Sequence, residues 1–110
     1  MTNEKVARIR ALNDRLRRTG VGGMIMQTSG IHDLGEEIVK AIAQAVMEFD
    51  DFSANNDPYQ EHDFGAVDVE GQRVFWKIDY YGLDMNSGSN DPSDESVTKR
   101  VLTIMLASEY

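Results

Sequence analysis

The residues with the clearest capacity for chemistry are three consecutive ones, Glu61-His62-Asp63, in the middle of the chain. An imidazole with neighbouring carboxylates can bind a divalent cation through nitrogen and oxygen atoms. Asp79 lies on a strand predicted to pair with this segment, and Lys77 lies close enough to assist phosphoryl chemistry. These five residues are the candidate catalytic set of a metal-dependent hydrolase or nuclease.

The spacing of this set argues against a metal site. Side chains alternate along a strand, so the side chain of His62 points away from those of Glu61 and Asp63. The only other histidine is His32, so the sequence contains no His-x-x-x-His pair. The sequence therefore predicts no cofactor, and a divalent cation bound by the candidate set is the alternative.

A second feature of the sequence is the uneven distribution of charge. The chain of 110 residues has a formal net charge of −8, from 11 Lys and Arg against 19 Asp and Glu. Residues 1–20 hold six bases and two acids, a balance of +4, whereas residues 21–110 hold five bases and 17 acids, a balance of −12. An acidic field repels nucleic acid and anionic lipid, so we expect no direct binding to DNA or to a membrane. It favours a basic protein partner instead.

The candidate partner-binding residues lie in a window without Lys or Arg, residues 48–72. Carboxylates spaced over one surface can imitate phosphates and occupy the Arg- and Lys-rich groove of a nucleic-acid-binding enzyme. We therefore expect a small acidic binding protein that blocks or regulates such a partner. The residues expected to make this contact are Asp50, Asp51, Asp57, Tyr59, Glu61, Asp63, Asp68 and Glu70.

Two other interpretations of the charge pattern stay open. In the first, the acidic residues only keep a small domain soluble. In the second, the chain self-associates as a homodimer, with the basic N-terminal segment of one copy against the acidic body of another.

The elements that must position these residues follow from the spacing of apolar side chains. Residues 3–19 carry apolar side chains at helical intervals, which predicts a helix. Residues 24–28 form a short apolar run bounded by glycines, which predicts a buried strand. Asp33 and Glu36 have the spacing of a capping box, and the apolar face that follows predicts a helix as far as residue 49.

The second half of the chain predicts a hairpin and a final helix. Residues 62–70 and 73–81 are predicted to be its two strands, and one face of the second strand is wholly apolar or aromatic. Asp91 suits the N-cap of the last helix, and residues 101–106, apolar nearly all round, form a buried helix or alternatively a strand. The order α-β-α-β-β-α predicts an α+β fold with a small antiparallel sheet of about three strands and helices on one face. Residues 1–110 are expected to form one domain.

Composition excludes several classes of site. The chain has no cysteine, so disulfides, thiolate metal sites and cysteine catalysis are excluded, and a reducing cytoplasm is the expected location. No apolar run approaches the roughly 20 residues of a membrane span, and the first residues form no apolar signal segment.

Several longer strings of the sequence point to a known family. They are Phe49-Asp-Asp-Phe-Ser53, Glu61-His-Asp-Phe-Gly65, Phe75-Trp-Lys-Ile-Asp-Tyr-Tyr81 and Thr98-Lys-Arg-Val-Leu-Thr-Ile-Met-Leu-Ala-Ser-Glu-Tyr110. With these strings the sequence resembles the domain-of-unknown-function 3768 (DUF3768) family over nearly the whole chain. The resemblance implies a proteobacterial protein, often encoded on mobile elements near anti-restriction and plasmid-maintenance genes. It thereby implies an anti-defence role, such as an anti-restriction or anti-CRISPR inhibitor.

Overall fold

A four-stranded sheet forms the framework of the protein, and the computed structural model describes residues 3–110 of it. The predicted single domain spans residues 1–110, of which residues 1 and 2 lie outside the described part. Short 3₁₀ turns cover Glu95–Val97 and Ala107–Glu109. The helices and strands are α1 Asn3–Thr19, β1 Met24–Gln27, α2 Ser29–His32, α3 Glu36–Met47, β2 Phe64–Val69, β3 Gln72–Tyr81 and β4 Lys99–Leu106.

The sheet is mixed, with the strand order β1-β4-β3-β2. β2 pairs with β3 and β3 with β4 in antiparallel fashion, whereas β1 pairs with β4 in parallel. The α+β class is therefore confirmed, and the prediction of about three antiparallel strands is corrected to four strands in a mixed sheet. The added strand is β4, which lies between β1 and β3 and joins them.

The predicted last helix with Asp91 as its N-cap is wrong, and the alternative of a strand at residues 101–106 is confirmed, because these residues belong to β4. Only one 3₁₀ turn precedes the strand, and the Asp94 carboxylate caps it by accepting a hydrogen bond from the Ser96 N–H at 2.9 Å. β4 is a central strand with buried residues on both faces, such as Leu102 on one and Val101 on the other. A strand of this kind loses the alternation that would distinguish it from a buried helix.

The predicted strand at residues 24–28 is present as β1, but it is not buried. Met24, Ile25 and Met26 are 51%, 46% and 50% exposed, respectively. β1 lies at one of the two edges of the sheet. Its apolar composition is typical of a buried core strand, but all of its residues are exposed.

The two long helices are confirmed, but the capping box is wrong. The backbone N–H of Asp33 closes the end of α2, so its side chain is not the cap of α3. The N-cap of α3 is Gly35, whose φ of 96° lies in the left-handed region that glycine tolerates. The side chain that does cap a helix is that of Thr28, which accepts a hydrogen bond from the Ile31 N–H at the start of α2.

The hairpin of β2 and β3 is confirmed with its turn at Glu70 and Gly71, where both φ angles are positive as a type I′ turn requires. On β3, Val74, Trp76 and Ile78 are buried against the helices. The opposite side of the sheet, here called the far face, carries the half-buried remainder of the strand. The core cluster joins sheet and helices through Leu16, Ile31, Ile42, Val46, Val74, Trp76, Ile78, Leu102 and Ile104.

Gly65 of β2 is required by the packing of the core. It lies opposite Trp76, and a Cβ atom at Gly65 would stand 2.5 Å from the indole Nε1 of that residue. The largest buried side chain therefore packs directly on the backbone of its neighbouring strand.

Among residues 3–110, no helix combines the length and the hydropathy needed to cross a membrane.

Candidate functional site

The segment of residues 50–63, here called the acidic loop, connects α3 to β2 and contains most of the predicted site residues. Its first half is closed by local hydrogen bonds. The Asn56 side chain accepts from the Ser53 N–H at 2.7 Å and donates to the Asp51 carbonyl oxygen at 2.7 Å. The Asp57 N–H donates to the Ser53 carbonyl oxygen at 2.8 Å. The loop is therefore a folded turn and not an extended connection.

Asp57 fixes the second half of the acidic loop from inside. It is only 5% exposed, and its Oδ1 accepts a hydrogen bond from the backbone N–H of His62 at 3.0 Å. The backbone of His62 has a φ of 55°, in the left-handed region. A buried carboxylate that accepts this N–H stabilises an otherwise unfavourable backbone conformation.

The imidazole of His62 lies between two carboxylates. Its Nδ1 is 2.9 Å from Asp14 Oδ1 of α1, and its Nε2 is 3.6 Å from Asp57 Oδ2. One ring face stacks on Phe52, with 3.7 Å between the ring centroids. A neutral imidazole can donate to one of the carboxylates, and an imidazolium to both.

Arg17 connects this cluster to the end of α3. Its side chain is fully buried, and its Nη1 donates to the carbonyl oxygens of Val46, Met47 and Phe49 at 3.1, 3.1 and 2.8 Å. Its Nη2 donates to Asp14 Oδ1 at 3.1 Å. Burial lowers the pKa of the guanidinium, and the hydrogen bond and charge of Asp14 oppose that shift. Asp14 therefore holds both Arg17 and His62.

An open cleft of about 400 Å³ lies beside this cluster. It is lined by Arg10 of α1 and, from the acidic loop, by Phe52, Ser53, Pro58 and His62. Arg10 also ties the helix to the loop, since its Nη1 donates to the Gln60 carbonyl oxygen at 3.0 Å.

Glu61 belongs to a second buried network that does not include His62. Its Oε1 accepts from the Tyr80 hydroxyl at 2.8 Å, and the Asn13 side chain donates to both the Tyr80 oxygen and the Glu61 carbonyl oxygen. Arg100 of β4 donates through Nε to Asn13 Oδ1 at 2.8 Å. Burial raises the pKa of Tyr80, so its hydroxyl stays protonated and donates to Glu61.

The predicted metal set is not brought together. Lys77 and Asp79 form an ion pair of 2.8 Å on the far face of the sheet. The hydrogen bond that Lys77 donates to the Asp79 carboxylate raises the pKa of Lys77. Asp63 precedes β2 and shares the strand parity of Gly65, so its side chain lies on the helix side instead. Its pKa is raised, first by burial and then by the charge of Glu61.

No group of three or more His, Cys, Asp or Glu side chains within residues 3–110 is placed to hold a metal ion. Both imidazole nitrogens of His62 face carboxylates: that of Asp14 also accepts from Arg17, and that of Asp57 also accepts from the His62 backbone N–H. The hypothesis of a metal-dependent hydrolase therefore has no ligand set in the described part of the chain.

The predicted partner-binding residues differ in exposure. Asp50, Asp51, Tyr59, Asp68 and Glu70 are exposed, and the Tyr59 side chain reaches 76%. The other three are not surface carboxylates, because Asp57 is buried and Glu61 and Asp63 are half-buried.

The exposed acids form two groups and not one continuous face. Phe49, beside Asp50, packs with its ring centroid 5.5 Å from that of Trp76, which lies opposite Gly65 near the start of β2. Glu70 follows the other end of that strand, which is five residues or about 17 Å further along at roughly 3.3 Å per residue. The first acidic group is thus Asp50 and Asp51, and the second is Asp68 and Glu70.

The basic helix α1 docks on acids of its own chain. Arg15 Nη2 is 2.6 Å from Glu95 Oε2, and Arg8 Nη2 is 3.7 Å from the other oxygen of the same carboxylate. Lys5 Nζ is 3.4 Å from Asp91 Oδ2. The hydrogen bond and charge of Arg15 lower the pKa of Glu95. The charge contrast between α1 and the body is therefore partly neutralised within one molecule.

Sequence reasoning missed the buried polar partners that organise the site. Asn13 and Arg17 are buried on the same helical stripe as Ile9, four and eight residues further on. That spacing was a usable signal, because polar residues on a buried stripe need partners. Nothing in the local sequence links Asp14 to His62, which is 48 residues away, or Arg100 to Asn13, which is 87 residues away.

A known protein family matches most of the chain. A family model described as a protein of unknown function (DUF3768) matches residues 27–109, which confirms the resemblance seen in the sequence. The match covers α2, α3, the acidic loop, β2, β3 and β4, whereas α1 and all of β1 except Gln27 lie before it. No curated protein and no solved structure matches the chain significantly.

Proposed function

From the premise that the chain belongs to the DUF3768 family, whose description assigns no function, we propose that it is a small acidic protein that binds a basic protein surface. The partner class we propose is a nucleic-acid-binding enzyme of the restriction or CRISPR type, whose basic groove the protein would block. The observation that carries the proposal is the exposure of Asp50 and Asp51 on a loop whose backbone is fixed by hydrogen bonds from its own side chains.

The fixed backbone matters because ordering a flexible loop on binding costs free energy. Asn56 holds the carbonyl of Asp51, and Asp57 holds the backbone of His62, so the acidic loop is ordered before any partner arrives. Its exposed carboxylates can accept bidentate hydrogen bonds from arginine side chains, which bind carboxylates and phosphates in the same geometry.

Tyr59 supplies an exposed aromatic ring in the same acidic loop. It is one of the most exposed large side chains of the chain. Tyrosine is frequent among the residues that dominate protein interfaces, because it buries a large ring and keeps a hydroxyl for hydrogen bonding. The proposed binding surface is therefore Asp50, Asp51 and Tyr59, a smaller set than the sequence predicted.

The second acidic group provides a matched control. Asp68 and Glu70 are exposed carboxylates of the same chain, about 17 Å along β2 from its start at the acidic loop. Reversing their charge changes the net charge of the protein as much as reversing Asp50 and Asp51. A difference between the two double variants therefore reports the position of the charge and not its amount.

The experiment measures displacement of labelled DNA from restriction and CRISPR-type enzymes by the protein at several salt concentrations. We expect displacement by the wild-type protein that weakens as salt rises, since exposed charges are screened. We expect D50K/D51K to lose it and D68K/E70K to retain it.

Two results would overturn the proposal. One is an absence of displacement from every enzyme of both classes. The other is displacement that depends on neither salt nor the charge at positions 50 and 51.

A further inference from the structure

β1 is an apolar strand at an edge of the sheet, and it is open to solvent. All four of its residues are exposed, and Met24, Ile25 and Met26 have about half of their surface in contact with solvent. Sheet edges are normally protected by charged residues, proline or bulges. Residues 19–31 contain no Asp, Glu, Lys, Arg, His or Pro, although 27% of the chain is charged. This edge therefore lacks the usual barriers to strand pairing.

The free backbone groups of β1 can be identified from its register. The Thr28 N–H donates to the Ile104 carbonyl oxygen of β4 at 3.1 Å. Backbone groups of successive residues in a strand point to opposite sides, so Met24 and Met26 also face β4. The N–H and C=O groups of Ile25 and Gln27 consequently point away from the sheet, toward the free edge.

We propose that β1 pairs with β1 of a second copy of this chain, antiparallel and across a two-fold axis at Ile25. In this register the two Ile25 residues are opposite each other and exchange both backbone hydrogen bonds. Met24 of each copy lies opposite Met26 of the other. The result is a continuous eight-stranded sheet shared by two molecules.

The side chains of β1 are self-complementary in that register. Residues directly opposite each other in an antiparallel pair point to the same side of the sheet. The two Ile25 side chains therefore meet on the helix side, and the Met24 and Met26 pairs meet on the far face. Each Met24–Met26 contact thus occurs twice across the axis, as in any two-fold interface.

The helix side offers room for this contact. A groove of about 200 Å³ lies between β1, the end of α1 and the end of α3. It is lined by Ile25 and Gln27 of β1, by Arg18 of α1 and by Met47 of α3. An apolar side chain from the second copy can be buried there beside Ile25.

Sedimentation velocity over a series of protein concentrations tests the proposal. We expect the wild-type protein to sediment at twice the mass of the chain and I25K to sediment as a monomer, since the variant places two lysines opposite each other. Y59K is the matched control, because Tyr59 is also exposed but lies in the acidic loop, whose next residues contact Arg10 and Asn13 of α1. We expect Y59K to remain a dimer.

A cross-linking measurement keeps the test decisive even if I25K does not fold. The chain has no cysteine, so I25C carries a single thiol. The Cα atoms of a hydrogen-bonded antiparallel pair are about 5.5 Å apart, a separation that suits a disulfide. We expect I25C to form a covalent dimer with the thiol oxidant diamide, and Y59C to form no covalent dimer under the same conditions.

A wild-type protein that stays monomeric at its highest soluble concentration would overturn the proposal. So would a dimer that I25K leaves intact, or an I25C protein that diamide cross-links no better than Y59C. Because Ile25 lies outside the acidic loop, the results for I25K and I25C are independent of the proposed binding to a basic enzyme.

Discussion

β1 and one residue of the acidic loop, Asp57, occupy the opposite environments from those that their composition suggests. The loop is polar and mostly exposed, yet Asp57 is buried, and side chains of α1 hold the loop and the segment before it. β1 is apolar, yet every one of its residues is exposed. Hydropathy alone would have placed the strand inside and Asp57 outside.

The contrast shows that polar burial depends on available partners. Arg17 and Asp57 can be buried because hydrogen bonds, and for Arg17 the charge of Asp14, compensate for lost water. β1 is held by β4 on one side, and the helical layer does not cover it. The loop therefore contributes to stability, whereas the strand is free for association.

Of the four variants, R17A should lower the free energy of unfolding most. It removes a buried cation and leaves three carbonyl oxygens and Asp14 without that donor. We expect a loss of about 3–5 kcal/mol in the free energy of unfolding, measured by urea denaturation. The exposed pair made by Arg8 is the control, and R8A should cost about 0–1 kcal/mol. Equal losses for the two variants would contradict the structural role of Arg17.

The variant D57A should have the next largest effect. It removes the acceptor of the His62 N–H at a position with left-handed φ. We expect a loss of about 1–3 kcal/mol, with faster amide exchange at His62. D51A removes an exposed carboxylate of the same loop and should change stability by about 0.5 kcal/mol or less. A loop that stays equally protected in D57A would refute this account of its order.

The variant D63N tests the partial burial of Asp63 through the pH dependence of stability. Burial raises the pKa of Asp63, so the folded protein binds that proton more tightly than the unfolded chain does. The stabilisation that results is complete below the ordinary value of 3.8 and is lost as pH rises through the raised pKa. We expect D63N to match the wild type in acid and to exceed its stability at neutral pH, in urea titrations at each pH. A neutral-pH loss of stability would contradict the prediction.

The variant I25T should have the smallest effect on the monomer. Ile25 is half exposed, so the loss should be about 0.5 kcal/mol or less when unfolding is followed at the lowest workable protein concentration. I104T makes the same change in β4, where the side chain is buried, and should cost about 2 kcal/mol or more. Similar losses at the two positions would show that β1 is part of the core.

The elements that the sequence predicts correctly are those with one buried face. α3 has a clear apolar stripe, and β3 alternates because the helices cover only one of its sides. β4 was ambiguous because it is central in the sheet and apolar on both faces. An apolar run predicts a buried strand whether or not a helix covers that strand in the fold, so the burial predicted for β1 is wrong.

The candidate site was predictable only in its local part. The sequence identified the acidic loop and its carboxylates, but it grouped His62 with Glu61 and Asp63. The structure pairs His62 with Asp14 and Asp57 instead, and Glu61 with Tyr80. These pairs depend on how α1 packs beside the loop, which no spacing within residues 55–63 encodes.

Amide hydrogen exchange of the wild-type protein at two concentrations compares both regions in one measurement. We expect the acidic loop, including the N–H groups of Asp57 and His62, to be protected at both concentrations. We expect the outward N–H groups of Ile25 and Gln27 to exchange rapidly at low concentration and to become protected at high concentration. An acidic loop that exchanges as fast as an unfolded chain would contradict its ordered structure, and a β1 edge whose exchange is independent of concentration would contradict the pairing of two copies.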